Sequence, residues 1–226
     1  AYPEAEVSAI RAHLWEFAER AMRWVKRDGE FVLAPFQPAS SKINNLLDAL
    51  RGVTHLGKEV RAPSWLDSRD NDPPAGRLIA FPNGLLDVAD RRLHRPTPRF
   101  FTHHALDFDY APQAEPPVRW LAFLRDLWGA DENSIEALQE WMGYFLLPDT
   151  GQQKIFMIVG PKRSGKGTIA RVLAGLLGQR NVCAPTLSGL STNFGLWPLI
   201  GRQLAVVSDA RLGGRADQAV IAERLL

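Results

Sequence analysis

The segment GPKRSGKGTIARVL, residues 160–173, is the stretch of this sequence that says most about its fold. It has the spacing G-x-x-x-x-G-K from Gly160 to Lys166, and it lies between the apolar run IFMIV (155–159) and residues with helical periodicity. Glycines let such a loop curl so that backbone N–H groups point inward, and the partial positive charge of a helix N-terminus attracts anions. The segment therefore predicts a phosphate-binding loop.

The residues expected to bind the phosphates of a nucleotide are consecutive: Gly160, Pro161, Lys162, Arg163, Ser164, Gly165, Lys166, Gly167 and Thr168. Lys166 is expected to bridge the β and γ phosphates as a point charge, a catalytic role. The pattern usually places Ser or Thr, the Mg²⁺ ligand, directly after the lysine. Here Gly167 stands at that position, so Thr168 is the nearest candidate hydroxyl for the metal. A glycine-rich turn without a ligand is the alternative interpretation.

A second candidate for the metal follows in RQLAVVSDAR, residues 202–211. Its apolar residues end in Asp209, which would place a carboxylate at the end of a buried strand beside the loop, where it can hold Mg²⁺ and serve catalysis. Many such ATPases carry two adjacent acids, whereas Ser208 precedes Asp209 here. The general base is thus unassigned, and a solvated Asp209 without a metal is the alternative.

Before residue 150, apolar residues recur mainly at three- and four-residue steps. This periodicity predicts helices over residues 4–27, 41–51, 117–129 and 133–148, with Ser41 and Asn133 as caps of the second and fourth. Residues 77–88 predict a β-hairpin that turns at Asn83-Gly84. After residue 150 the pattern predicts a strand at 154–159, a helix at 165–177, and strands near 182–187 and at 203–208.

The predicted fold class is therefore α/β, or α+β for the chain as a whole. Residues 1–150 are expected to form a mainly helical accessory domain with a small β-hairpin. Residues 151–226 are expected to form a P-loop NTPase domain with a parallel sheet; that this is the N-terminal part of the domain, truncated at the end of the chain, is implied by the family resemblance described below.

Charge is divided unevenly along the 226 residues. Residues 1–150 hold 17 basic and 22 acidic residues, and residues 151–226 hold 10 and 3. A basic second part is compatible with a polyanionic partner, although solubility alone is an equally good explanation. No apolar run approaches the length of a membrane span, and the single cysteine, Cys183, excludes an intrachain disulfide. These features favour a cytoplasmic protein with no membrane partner and a buried structural thiol.

Two further groups of residues invite a functional interpretation, and a structural role is favoured for both. His103 and His104 lie near two aspartates, but adjacent residues on a strand point to opposite faces and chelate one ion poorly. The tryptophans at 120, 128 and 141 have helical spacing, which favours core packing over base stacking.

The stretches FPNGLLDV (81–88) and TLSGLSTNFGLWPLIGRQLAVVSDARLG (186–213), together with the loop, resemble the phage and plasmid primase-helicase family, which is related to poxvirus-type primase-helicases. The resemblance covers residues 60–226. It implies a helical domain ahead of a superfamily 3 helicase motor of the AAA+ type, an ATP-driven ring, usually hexameric, that moves on single-stranded DNA during replication. Gly160, Gly165, Lys166 and Asp209 match the family's phosphate loop and second acidic motif.

The chain ends at AERLL, before the family's third motif and its basic residues that act on a neighbour's nucleotide. We therefore expect a fragment that is mainly monomeric and a homo-oligomeric ring when the chain extends past Leu226. Two other classes remain open. The letters GKGT and the missing second acid favour a small-molecule kinase, and a non-catalytic DNA-binding or assembly module is the third hypothesis.

Overall fold

The structure is a computed structural model that describes residues 6–149 and 151–208. The chain folds into two compact units, one of residues 2–61 and one that begins at residue 62. Helices and small sheets alternate along the chain, so the fold is α+β, as predicted. The predicted domain boundary near residue 150 falls inside the second unit and stays a prediction.

The N-terminal unit, residues 2–61, contains two helices that flank a β-hairpin. Its elements are α1 (Val7–Arg20), β1 (Met22–Arg27), β2 (Glu30–Pro35) and α2 (Ser40–Val53). Ala18 of α1 and Ile43 and Leu47 of α2 are buried together and form its small core. The helix predicted over residues 41–51 is confirmed, but it begins at Ser40 and the predicted Ser41 cap is wrong, because Ala39 holds the N-cap position.

The helix predicted over residues 4–27 is wrong for residues 21–27. It ends at Arg20, and β1 and β2 follow as an antiparallel pair. The reason is the turn at Asp28 and Gly29, whose φ angles are 51° and 91°. Two successive positive φ angles match the right-handed twist of a hairpin, so this turn favours strands on both sides over a continuing helix.

The C-terminal unit begins at residue 62 and combines short strands with four helices in its described part. Its strands are β3 (Ser64–Trp65), β4 (Leu78–Phe81), β5 (Gly84–Asp87), β6 (Arg92–His94), β7 (Phe100–Phe101), β8 (Val182–Cys183) and β9 (Leu204–Ala205). Its helices are α3 (Val118–Trp128), α4 (Glu132–Tyr144), α5 (Lys166–Leu177) and α6 (Leu187–Leu190). Strands β4, β5 and β6 form an antiparallel sheet, whereas β8 and β9 pair in parallel.

The predicted hairpin of residues 77–88 is confirmed as β4 and β5, but its turn is displaced by one residue. Phe81 pairs with Gly84, so Pro82 and Asn83 occupy the turn, and neither has a positive φ. Proline fixes φ near −65°, which suits the first turn position. Gly84 is required for another reason, because a Cβ there would lie 2.5 Å from the backbone oxygen of His94.

One hydrophobic core joins residues from both sides of position 150. Leu124 of α3, Leu138 of α4, and Ile169 and Leu177 of α5 are all buried in it. Trp120 and Trp128 pack against this core, and Trp141 stacks on Phe156 with ring centroids 5.1 Å apart, so all three have the predicted packing role. Helix α4 is capped by Asp131, which accepts a hydrogen bond from the Ser134 amide at 3.2 Å, rather than by the predicted Asn133.

The segment before the glycine loop differs from its prediction. The structure assigns no strand to residues 154–159, although their side chains alternate. Phe156 and Ile158 pack against the core, whereas Ile155, Met157 and Val159 are exposed. The two strands predicted further along are shorter than expected, as β8 and β9, and their pairing is parallel as predicted. The helix predicted at 165–177 is confirmed as α5.

Two properties of the described residues bear on the chain's environment. No helix among them is both long and apolar enough to cross a lipid bilayer. Cys183 is half-buried, and burial raises the pKa of its thiol despite the nearby charge of Arg202. A thiol with a raised pKa stays protonated and unreactive at neutral pH, which agrees with a structural role.

An ion pair between a buried carboxylate and a partly exposed arginine links the two ends of the β4–β5 hairpin. Asp87 is 3% exposed, and the guanidinium of Arg77 donates to it at 2.7 Å. Burial by itself would raise the pKa of this carboxyl. Hydrogen bonds from the Ala89 amide and from Arg77, together with the charges of Arg77 and His94, outweigh burial, so the pKa of Asp87 lies below its ordinary value.

We expect Asp87→Asn to lower the free energy of unfolding by about 1–2 kcal/mol at pH 7, because it removes the charge from a buried hydrogen-bonded pair whose arginine is partly solvated. Because folding lowers the pKa of Asp87, its carboxylate stabilises the folded protein fully at pH values above the pKa of the unfolded chain, about 3.9. This stabilisation is lost as the pH falls through the lower pKa of the folded protein. Urea unfolding at pH 7 and pH 3 measures both. The exposed Asp109→Asn is the control, and an equal loss at both pH values would contradict the assignment.

Candidate phosphate-binding loop

The glycine loop, residues 160–165, leads directly into α5. Its path depends on two residues in the left-handed region, Arg163 at φ 64° and Gly165 at φ 82°. Gly165 is the N-cap of α5, and its carbonyl accepts hydrogen bonds from the amides of Thr168 at 2.8 Å and Ile169 at 3.1 Å. The loop therefore ends in an ordered first turn of the helix.

A row of backbone donors is available along the loop. Within the part of the chain that the structure describes, the N–H groups of residues 162–167 donate to no acceptor. Residues 162, 163 and 167 are exposed, and residues 164–166 are half-buried. A curled run of free N–H groups at a helix N-terminus is an arrangement that binds anions.

The Lys166 ammonium lies inside the curl of the loop. It donates to the carbonyl oxygens of Gly160 at 2.9 Å and Pro161 at 2.8 Å, and to Ser164 Oγ at 3.3 Å. These contacts place the positive charge next to the free N–H groups. The half-buried side chain is partly shielded from water, which strengthens its interaction with an anion.

The loop is braced by α3 from behind. A Cβ at Gly165 would lie 3.0 Å from both Cδ atoms of Leu127 and 3.0 Å from Cζ of Phe123. Ile169, one turn along α5, is buried in the shared core. Glycine is favoured at this point on two grounds, because its φ is left-handed and because an added Cβ would press on side chains of α3.

The candidate metal ligands differ in what the structure says about them. Thr168 Oγ1 lies on the first turn of α5 and accepts a hydrogen bond from Arg171 at 3.2 Å. Asp209 lies outside the described residues. The chain that leads to it is held by β9, and by the Val206 amide, which donates to the Cys183 carbonyl at 2.8 Å. The proximity of Asp209 to the loop therefore stays a prediction.

The sequence interpretation missed three contacts of the loop. These are the bracing residues Phe123 and Leu127, and Arg171, which binds Thr168. Arg171 follows Thr168 by three residues on one helix, a spacing that places side chains together, so periodicity could have identified it. Phe123 and Leu127 are more than 30 residues away along the chain, and no local pattern announces them.

The histidine pair forms no metal site in the described structure. His103 packs edge-on against Phe101 with ring centroids 5.0 Å apart. His104 Nδ1 lies 3.3 Å from Oδ1 of the buried Asn181. Among the residues that are described, no group of three or more His, Cys, Asp or Glu side chains is arranged to hold an ion.

A comparison with known protein families matches residues 11–129 to one of them, described as D5 N terminal like. The match covers more than half of the 226 residues. It includes most of the N-terminal unit and the part of the C-terminal unit from β3 through α3. It ends before the glycine loop.

Proposed function

Because the chain belongs to the D5 N-terminal-like family, the N-terminal region of phage and viral primase-helicase proteins, we propose that it acts in DNA replication as part of an ATP-dependent helicase. In this proposal the hydrolysis of ATP drives movement along single-stranded DNA. The motor is of the superfamily 3 and AAA+ type, with a P-loop that starts at Gly160.

One observation carries the nucleotide part of the proposal. The free N–H groups of residues 162–167 and the ammonium of Lys166 lie together at the N-terminus of α5. Peptide N–H groups, a helix N-terminus and a lysine charge are the elements with which P-loops hold the phosphates of a nucleotide. These groups contact phosphates and do not distinguish one base from another. The choice of ATP as the nucleotide therefore rests on the resemblance of the loop to helicase motors.

The proposed roles of the individual residues follow from their chemistry. Residues 160–168 surround the phosphates, and Lys166 neutralises charge on the β and γ phosphate oxygens, where it increases during transfer. Mg²⁺, when bound, supplies further positive charge to the same oxygens. Thr168 and Asp209 are the oxygen ligands proposed to hold it. The Thr168 hydroxyl oxygen accepts one hydrogen bond, from Arg171, and has a second lone pair for the metal.

The proposed partners are single-stranded DNA and further copies of the same chain, arranged as a hexameric ring. AAA+-type subunits complete their nucleotide sites with basic residues from a neighbour, and such a residue can account for roughly 10³- to 10⁵-fold in rate in comparable NTPases. Ring formation is therefore proposed to be a condition for fast hydrolysis.

The proposal is tested by measuring ATP hydrolysis with and without single-stranded DNA, on the 226-residue chain and on the chain extended past Leu226. We expect the extended protein to hydrolyse ATP faster when single-stranded DNA is added. Hydrolysis that ignores DNA, together with phosphate transfer to a small molecule, would favour a kinase. Binding of ATP without any turnover in the extended protein would favour an assembly module.

We expect Asp209→Asn to reduce Mg²⁺-dependent hydrolysis at least tenfold and to change Mg²⁺-free nucleotide binding little, because the carboxylate acts on the metal rather than on the phosphates. Turnover of the extended protein as a function of Mg²⁺ concentration measures the first effect, and fluorescent-nucleotide titration in EDTA measures the second. Asp149→Asn, at an exposed position before the loop, is the matched control. Unchanged turnover in Asp209→Asn would place the metal ligand elsewhere.

A further inference from the structure

The β1–β2 hairpin of the N-terminal unit presents an apolar face to solvent. In the antiparallel register Trp24 lies opposite Leu33, and Lys26 lies opposite Phe31. Directly opposed residues project from the same face of a sheet, and residues two apart on one strand share that face. Trp24, Lys26, Phe31 and Leu33 therefore form one continuous patch, which we call the hairpin platform.

The apolar side chains of the hairpin platform are mostly exposed to solvent. Trp24 is 67% exposed, Phe31 is 68% exposed and Leu33 is 52% exposed. The opposite face of the hairpin is better covered, since Val25 and Ala34 are half-buried there. Two large aromatic rings on one sheet face, left in water by the fold that carries them, indicate a surface for a partner.

The charge of the platform narrows the class of partner. Strand β1 carries Arg23, Lys26 and Arg27 and no acidic residue. Lys26 lies within the platform, next to Trp24 along the strand and opposite Phe31. Lysine is depleted in the apolar centre of protein–protein interfaces, where its charge would lose water without compensation. A polyanionic partner would supply negative charge to Lys26 in place of the lost water.

We infer that the hairpin platform binds single-stranded nucleic acid. Unpaired bases stack on Trp24 and Phe31, and Lys26 contacts the phosphate backbone beside them. Aromatic side chains interleaved with cations are the surface that single strands use, because every base has a π-face and every nucleotide has a charge. Arg23, on the other face of the same strand, adds to the local positive potential, whereas Arg27 lies opposite Glu30.

This inference deepens the proposed function, because it gives the DNA partner a binding surface outside the nucleotide site. Its test is independent of that site. We propose to titrate a fluorescent oligothymidine of about 20 nucleotides with the 226-residue chain, without nucleotide or Mg²⁺, and to follow fluorescence anisotropy at low and moderate salt. Failure of DNA binding here would leave ATP binding by the loop untouched.

We expect Trp24→Ala to weaken binding about tenfold, since stacking of a base on one aromatic side chain contributes roughly 5- to 150-fold in affinity. Trp24→Phe should restore most of the affinity, because it keeps a ring. Phe17→Ala is the matched control, an aromatic residue of α1 that is 68% exposed and lies outside the platform. Lys26→Ala should weaken binding more than Arg23→Ala, which removes the same charge from the opposite face.

Circular dichroism and thermal unfolding of each variant verify that the fold is retained. Wild-type affinity in Trp24→Ala would overturn the inference. So would tighter, Trp24-dependent binding of a duplex of the same length, because paired bases cannot stack on the platform. A change in molar mass on Trp24→Ala, with DNA binding unchanged, would assign the surface to contact between copies of the chain and would also overturn it.

Discussion

Lys166→Ala is expected to weaken the binding of MgATP about 10- to 150-fold and to leave DNA-stimulated hydrolysis close to zero. The variant removes a charge-assisted contact of roughly 1.5–3 kcal/mol from a position beside the free N–H groups of the loop. Hydrolysis should lose more than binding does, because negative charge on the phosphate oxygens increases during transfer and the missing ammonium would have stabilised it.

Fluorescent-nucleotide titration of the 226-residue chain measures the affinity, and turnover is measured on the extended protein. Ligand-induced stabilisation offers a second readout, since a nucleotide at 100 times its dissociation constant should add about 2.7 kcal/mol to the wild type. Lys154→Ala is the matched control, because it removes an equal charge from an exposed position six residues before the loop. Equal ATP affinity in wild type and Lys166→Ala would contradict the assignment of the loop.

Helices α3, α4 and α5 of the C-terminal unit were predictable because their signals are local, whereas the short α6 was not predicted. Apolar periodicity and terminal residues such as Pro117 and Gly129 predicted α3, and the glycine loop predicted the start of α5. Local signals were not sufficient for the first helix, whose predicted C-terminal end forms strand β1. Residues 22–27 satisfy a helical spacing and a strand alternation at once, and the choice depends on the turn at Asp28 and Gly29 and on pairing with β2.

The candidate site also has a part that the sequence predicts and a part that it does not. The loop, its glycines and its lysine follow one another in the sequence, so their convergence could be predicted from a single motif. The support from α3 could not, because contacts of Gly165 with Phe123 and Leu127 depend on how two helices pack. Tertiary packing of this kind leaves no periodic trace in the sequence near either partner.

In the segment before the loop, residues 155–159, the alternation that predicts a strand is present but the strand is not. Alternation of exposed and packed side chains over residues 155–159 is typical of a strand. A strand also requires a hydrogen-bonded neighbour, and the described residues supply none for this segment. Alternation in the sequence therefore identifies which side faces the core, here Phe156 and Ile158, but not whether a sheet forms.

The bracing of the loop by α3 makes Gly165 the most sensitive position of the site to substitution. We expect Gly165→Val to lower the free energy of unfolding by about 2–5 kcal/mol. A left-handed φ costs a non-glycine residue roughly 1–2 kcal/mol, and forcing atoms into a closely packed site costs roughly 1–3 kcal/mol more. Both terms apply here, since φ is 82° and a Cβ would lie 3.0 Å from Leu127 and Phe123.

Gly167→Ala is the matched control, because it lies two residues further along with no atom within 4 Å of an added Cβ and no positive φ. Alanine in the first turn of α5 should stabilise the chain by about 0.5–1 kcal/mol. Urea unfolding of both variants gives the two free energies. Opposite signs at positions two residues apart would show that position 165 depends on its left-handed φ and its contact with α3, neither of which position 167 shares. A Gly165→Val chain as stable as the wild type would contradict both the backbone strain and the packing at this position.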